Sequence, residues 1–412
     1  MELSAFKLKG LYDGKGNFIE KPVLILKDGI FNEILDSSLY GKLETLNISD
    51  IVDFSDKYAM PGLIDCHTHL MLPGNGDTAE KILETKSIGE IALIAGYNAS
   101  TALKNGVTTI RDCGCALGIS FDIKNFIQSG YINGPDIILC GMPITSSCGH
   151  LNRMGGIADG GAEITKLIRK QRMNGIDFVK LIASSGASKG VKPGITFTQD
   201  ELDTAVSEAH RLNMKVSVHA TSVEAVKMAV SAGAERIEHG WWINTDGTEI
   251  IKDTELAEYI IQHDIMTCPT LPVMESSINY YAKQLEAGYS EDIKKSYDSL
   301  KSYNDTMLKA FCYQYSCGIA FAGGSDSGWR HMGFADGMKN SVCNMYKCGV
   351  TLKDIIKIST YNSAKYIGLE KTHGSIEYGK TADFLVMNSD PGKDIAAYSS
   401  IFQVYKRGKP VL

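Results

Sequence analysis

Four histidines, one lysine and one aspartate stand where they could hold a metal. The segment Asp65-Cys66-His67-Thr68-His69 closes an apolar run. On an extended chain, residues two apart project to one side, so His67 and His69 can offer two imidazoles to one ion. Lys180 lies within DFVKLIASSG, His219 ends KVSVHA, His239 ends RIEH, and Asp326 follows the glycines of FAGGSDSG. Each alone has a bland reading: a strand-end histidine satisfied by hydrogen bonds, a lysine that snorkels, an aspartate that forms a turn. The chain has only nine histidines, however, and His67, His69, His219 and His239 fall at the ends of three separate apolar runs. Imidazole and carboxylate are the donors that hold first-row divalent ions. Cys113 and Cys115 form a C-x-C, but no second cysteine pair at zinc-type spacing accompanies them. His210, His263 and His373 read as structural or surface residues.

Strand ends must place these groups together. Eight short apolar runs read as strands: Met60–Asp65, Val107–Arg111, Asp136–Cys140, Asp177–Ala183, Lys215–Val218, Arg236–Ile237, Ile265–Cys268 and Ile319–Ala322. Helical patterns separate most of them, among them Ile88–Asn105, Gln199–Leu212 and Ser222–Ala232, with Thr198 and Ser222 as N-caps. Strands alternating with helices imply a parallel sheet, and eight such units imply a closed α/β (β/α)₈ TIM barrel with functional side chains at the C-terminal ends of the strands. Both chain ends instead carry hairpin chemistry, with short alternating runs punctuated by Gly and Asp. The expected organisation is a small β-sandwich domain formed by residues 1–58 plus 372–412, around a barrel of residues 59–371. The polar, Tyr-rich segment Met274–Tyr313 reads as helical, a candidate lid or contact surface.

The bulk properties fit such an enzyme. A chain of 412 residues suits a large barrel with an accessory module. Its 44% apolar and 22% charged content is that of a globular protein, and its net charge of -6 disfavours nucleic acid and anionic membranes as partners. No secretory pattern and no apolar run approaching the ~20 residues of a membrane span is read. Ten scattered cysteines lack the density of a disulfide scaffold. The expectation is a cytoplasmic, reduced protein acting on a small molecule and assembling as a homo-oligomer.

The segment MPGLIDCHTHL resembles the strand-1 signature P-G-x-I-D-x-H-x-H of the amidohydrolase superfamily. NGVTTIRDCG, DFVKLIASSG, KVSVHATSVEAVKMAVSAGAERIEHG, CPTL, GGSDSG and the tail from YNSAKYIGLE to NSDPGKDI continue the resemblance over nearly the full chain. It is closest to the branch of imidazolonepropionase-related enzymes, Xaa-Pro dipeptidases (prolidases) and zinc arginine carboxypeptidases. The resemblance implies a binuclear centre of two divalent metal ions, with zinc the expected metal. His67 and His69 match the ligands of the more buried ion, and His219 and His239 those of the second. Lys180 matches a lysine carbamylated by CO₂ that bridges both ions. Asp326 matches a metal-binding general base, and His150, in CGHLNRMGG, a histidine that contacts the substrate carbonyl. The implied reaction is hydrolysis of an amide-like C–N bond by metal-activated hydroxide.

Two departures bear on substrate. Trp241 and Trp242 occupy a stretch in which prolidase-like members place a tyrosine, and of the pattern H-G-x-N-x-x-E only His331 survives clearly in His331-Met332-Gly333-Phe334. Trp242, His331 and Phe334 are therefore expected substrate contacts, with Trp242 and Phe334 making an aromatic pocket for an aryl or cyclic group rather than a free carboxylate. Three other readings compete. A deaminase would place a glutamate three residues after His219, where Ser222 stands. A mononuclear cyclic-amide hydrolase would not need Lys180. A non-catalytic scaffold would lose ligand positions, and all are filled here.

Overall fold

The computed structural model describes residues 3–36, 48, 50–186, 194–288 and 290–411. Its strands are β1 (Leu3–Tyr12), β2 (Phe18–Glu20), β3 (Val23–Lys27), β4 (Ile30–Leu35), β5 (Asp50–Pro61), β6 (Leu63–Thr68), β7 (Val107–Asp112), β8 (Asp136–Leu139), β9 (Val179–Ile182), β10 (Val216–Ala220), β11 (Arg236–His239), β12 (Met266–Cys268), β13 (Phe384–Met387), β14 (Ile401–Lys406) and β15 (Lys409–Pro410).

Strands from both chain ends share one sheet, in the order β15-β14-β13-β5-β1-β3-β4, with β2 paired to β1. Its hairpins are tight because the turn residues accept left-handed backbone. Asp28 and Gly29 (φ 50° and 79°) join β3 to β4, and Arg407 and Gly408 (φ 50° and 72°) join β14 to β15. Positive φ at both central residues marks the turn whose twist matches paired strands. Phe6, Leu24, Phe31, Phe384 and Tyr405 fill its apolar side, with Phe384 and Tyr405 stacked at 4.5 Å.

The middle of the chain forms two parallel sheets, β6-β7-β8 and β12-β11-β10-β9. β6, β7, β9, β10 and β11 are buried at every residue, as parallel strands covered on both faces must be. Single parallel bridges extend the pairing from one sheet to the other: Ile144 with Leu181, Thr267 with Phe321, and Thr68 with Ser327. Outer helices begin where the sequence places N-caps. Thr198 forms a reciprocal capping box with Glu201, and Ser222 accepts from Ala225 N. No described helix is long and apolar enough to cross a membrane.

Two expectations need correction. The run Met60–Asp65 does not form a single strand, because Met60 and Pro61 pair with Leu385 and Phe384 in the outer sheet; the first parallel strand is β6. Ile319–Ala322 makes an isolated bridge rather than a regular strand. Its backbone is shared between neighbours: Thr267 N donates to Ala320 O, Ala322 N donates to Thr267 O, and the following Gly323 O accepts from Cys66 N. Met274–Tyr313 is helical in two pieces, Pro272–Ala287 and Glu291–Ser316.

The outer sheet is tied to the parallel strands by charge. Asp136, which opens β8, accepts from Lys406 Nζ (2.6 Å), Arg407 Nη2 (2.9 Å) and His373 Nε2 (3.0 Å). Burial alone would raise its pKa, but the His373 hydrogen bond and the Lys406 and Arg407 charges hold it far below the ordinary carboxylate range. A depressed folded pKa contributes stability that is full above the unfolded value and fades as pH falls. Asp136→Ala should therefore cost ~2 kcal/mol near neutral pH. In urea unfolding, the gap to wild type should narrow as pH falls below ~4.

Candidate active site

The C-terminal ends of the parallel strands open into one cavity of about 270 Å³ whose walls include His67, His69, His150, Lys180, His219, His239 and Asp326. His67 ends β6, and its Nδ1 meets Glu238 Oε2 at 2.5 Å. This aims Nε2 at Asp326, 3.6 Å from Oδ1. His69 Nε2 lies 3.4 Å from the same oxygen. Ligand atoms of His67, His239 and Asp326 all fall within 4.8 Å of one another. The rings of His67 and His239 are 4.8 Å apart, those of His239 and His219 4.5 Å, and those of His219 and His150 5.1 Å. Lys180, on β9, is 1% exposed.

Burial drives these imidazoles toward the neutral form. It lowers the His67 pKa, with Lys180 adding to the effect, holds His219 and His239 well below the ordinary histidine value, and pulls His150 down to about 3. A neutral imidazole has the free lone pair that metal ligation requires. Burial raises the Asp326 carboxyl too, but His67, His69 and Lys180 outweigh it and hold it at about 2. Asp326 Oδ1 is buried and has no hydrogen-bond partner. An ionised, enclosed oxygen facing neutral imidazoles is costly unless a cation completes the site. The donor set therefore fits divalent metal.

Several residues at the cavity hold left-handed backbone. His239, Thr270, Asp326 and Arg330 all have positive φ, at 64°, 46°, 60° and 52°. Such conformations cost ~1–3 kcal/mol each in non-glycine residues and persist only where surroundings enforce them. Thr270 Oγ1 sits 2.7 Å from His239 Nδ1. Asp326 N donates to His67 O at 2.9 Å. Asp65 fixes the same loop by accepting from His67 N (3.2 Å) and Ser325 N (3.0 Å). Gly328 (φ +95°) lets that loop pass, since a Cβ there would lie 2.2 Å from His69 O.

The structure does not bring every expected residue to the cavity. Trp242 is fully buried and faces Tyr313, with ring centroids 6.1 Å apart. Trp241 lines the cavity instead, its Nε1 anchored on Pro269 O at 2.9 Å. The left-handed His239-Gly240 turn resets the alternation that would otherwise choose the inward tryptophan. Phe334 lies in the hydrophobic core, outside the cavity. His331 stacks on Tyr280 at 3.9 Å and lines an adjoining recess. Trp329, Arg330 and Tyr303 were not expected and do line the main cavity. The helices after β12 supply its outer wall through Val273, Met274, Leu300 and Tyr303. The C-x-C cysteines Cys113 and Cys115 are buried thiols, and burial pushes Cys115 up to about 12.

Glu238 was also missed. It is fully buried and accepts from Arg111, Ser217 and Tyr366 besides facing His67. A carboxylate within a short strand flanked by parallel-sheet strands, RIEH, was the available signal, as was Arg111 in VTTIRD. Burial would raise the Glu238 carboxyl, but Arg111, His67 and Lys180 hold it well below the usual range. Arg111 lies 3.6 Å over the Phe178 ring.

Residues 58–411 match the amidohydrolase family. The chain belongs to that family. This amidohydrolase is accordingly a hydrolase of carbon–nitrogen bonds. It is 25% identical to ochratoxinase from Aspergillus niger over 388 residues, which cover 85% of this chain and 75% of that one. It is 22% identical to imidazolonepropionase from Pseudomonas savastanoi pv. phaseolicola over 417 residues, 93% and 91% of the two chains. Among solved structures, a Xaa-Pro dipeptidase with methionine bound in its active site shares the fold at a TM-score of 0.85, with 24% identity and 99% of each chain covered.

Removing the Glu238 charge should leave Arg111 buried and unpaired. Glu238→Gln is expected to cost ~3 kcal/mol of stability in urea unfolding. In the Arg111→Met/Glu238→Gln double variant, the loss should fall below the sum of the single losses by ~1 kcal/mol or more.

Proposed function

We propose that this amidohydrolase cleaves an amide-like C–N bond of a small molecule, such as a dipeptide, an N-acyl amino acid or an aryl amide or carbamate, at a centre of two divalent ions, zinc first among the candidates. The observation that carries the reading is the unpartnered, ionised Asp326 Oδ1 among neutral imidazoles in a buried cavity. His67, His69, His219, His239 and Asp326 would hold the ions, with carbamylated Lys180 as the bridge. The parallel strands and their single bridges support a closed (β/α)₈ barrel, and the sheet shared by the chain ends supports a separate β-domain.

Bound divalent ions supply Lewis acidity and make water available as a nucleophile near neutral pH. The protein's own groups do the rest. Asp326, ionised at neutral pH, accepts a proton from the attacking water and returns it to the leaving nitrogen. His150, neutral and buried against Trp329 (ring centroids 5.4 Å apart), donates a hydrogen bond to the carbonyl oxygen as charge develops there. Glu238 fixes the ring of His67 as an orienting carboxylate. Trp241, Trp329, Leu300 and Met274 exclude water and offer apolar surface to the substrate. Ser222, where a deaminase would place its acid, instead caps the helix that follows β10. The reading extends to a cytoplasmic protein and to a homo-oligomer, the latter supported by the exposed apolar side chains of Leu93, Tyr97, Phe126 and Tyr131.

Purified protein should carry about two equivalents of divalent metal, measured by elemental analysis, and chelation should abolish amide hydrolysis reversibly. Lys180→Ala should lose metal and activity together; a variant retaining both would overturn the bridged centre. His150→Ala should keep its metal while kcat falls ~10²–10³-fold.

A further inference from the structure

The cavity holds a second unsatisfied group, of opposite sign to Asp326. Arg330 lies on the loop after Asp326, and its Nε is buried without a hydrogen-bond partner. No carboxylate among the described residues pairs with it; the groups that act on it electrostatically are Asp326, Tyr281 and Tyr303. Asp326 does not satisfy it, since Arg330 Nε bonds to neither Asp326 oxygen. Asp246, the other carboxylate on the cavity wall, stands exposed at the rim. A buried guanidinium nitrogen left without an acceptor is costly, even though the Arg330 side chain as a whole is only partly buried.

The loop holds Arg330 in place for a purpose other than its own satisfaction. Its backbone is left-handed, and Arg330 O accepts from Gly76 N at 2.5 Å. Gly328 N donates to Met332 O at 2.8 Å, closing the loop. His331 stacked on Tyr280 braces the outer side. The side chain beside Arg330, Trp329, faces His150 and, with ring centroids 5.9 Å apart, His69. A planar fork of donors thus stands beside an aromatic wall in the cavity that holds Asp326.

Resting on the amide-hydrolase reading above, we propose that Arg330 determines specificity by taking a carboxylate of the substrate. The preferred substrates are then amides with a free carboxylic acid at one end and an apolar or aryl group at the other, N-acyl amino acids above all. Guanidinium and carboxylate meet through two parallel hydrogen bonds, which fixes orientation as well as charge. The aryl group rests on Trp241, Trp329 and Tyr303.

The test pairs N-benzoyl-phenylalanine with its primary carboxamide, following benzoate release by wild type, Arg330→Met and Arg330→Lys. Wild type should favour the acid in kcat/KM by ~30-fold or more. The preference should fall toward parity in Arg330→Met, mainly through KM, and return in part in Arg330→Lys. Two of the chain's three tryptophans line the cavity, so quenching of their fluorescence reports binding in protein treated with a chelator. There too the acid should bind more tightly than the carboxamide in wild type and not in Arg330→Met. Benzoate release from both compounds without acid preference overturns the role of Arg330 and leaves the hydrolase reading intact. An acid preference in binding without any benzoate release supports Arg330 and overturns that hydrolase reading for N-acyl amino acids. An acid preference unchanged in Arg330→Met overturns the assignment outright.

Discussion

Glu238 is the group on which the site depends. It places a negative charge where no water reaches, a placement that costs several kcal/mol unless partners compensate. Four do so: Arg111 from β7, His67 from β6, Ser217 from β10, and Tyr366, whose hydroxyl donates at 2.9 Å. The carboxylate thereby ties together strands that are far apart in sequence. It also dictates which nitrogen of His67 faces the cavity. Because Arg111 is held under the Phe178 ring, neither member of the pair can turn away to find water.

From this fixed floor the rest of the cavity is built by bending backbone. His239, Thr270, Asp326 and Arg330 occupy left-handed conformations, and each contributes a side chain to the cavity or, for Thr270, to a histidine that lines it. The folded core holds strain at the positions that carry the chemistry. The outer wall has another origin: the two long helices after β12 bring Val273, Met274 and Tyr303 over the strand ends, so polar chemistry and apolar enclosure come from separate parts of the chain.

Much of this was legible in the sequence, for identifiable reasons. Strands buried on both faces read as short apolar runs, and caps such as Thr198 mark helix starts. His67, His69, His219 and His239 follow from their places at strand ends, and the structure draws them into one cavity. What escaped depended on backbone geometry or on long-range partners. The choice between Trp241 and Trp242 turns on one left-handed step at His239 and Gly240. Glu238 is adjacent to a recognisable histidine, but its partners Arg111 and Tyr366 lie more than a hundred residues away in the chain. Phe334 looked like a wall because it follows His331, yet it packs into the core. The last expected strand dissolved because its backbone is divided between Thr267 and Cys66.

The pairing of β13 with β5 has an effect on how the molecule comes into being. β5 leads into β6 with one intervening residue, Gly62, whose N donates to Asp383 O at 3.0 Å. The entry to the strand that bears His67 is thus clamped by residues from near the end of the chain. Because residues are made in order, the strand that bears His67 gains this clamp only after Asp383, more than three hundred residues further on, has been made.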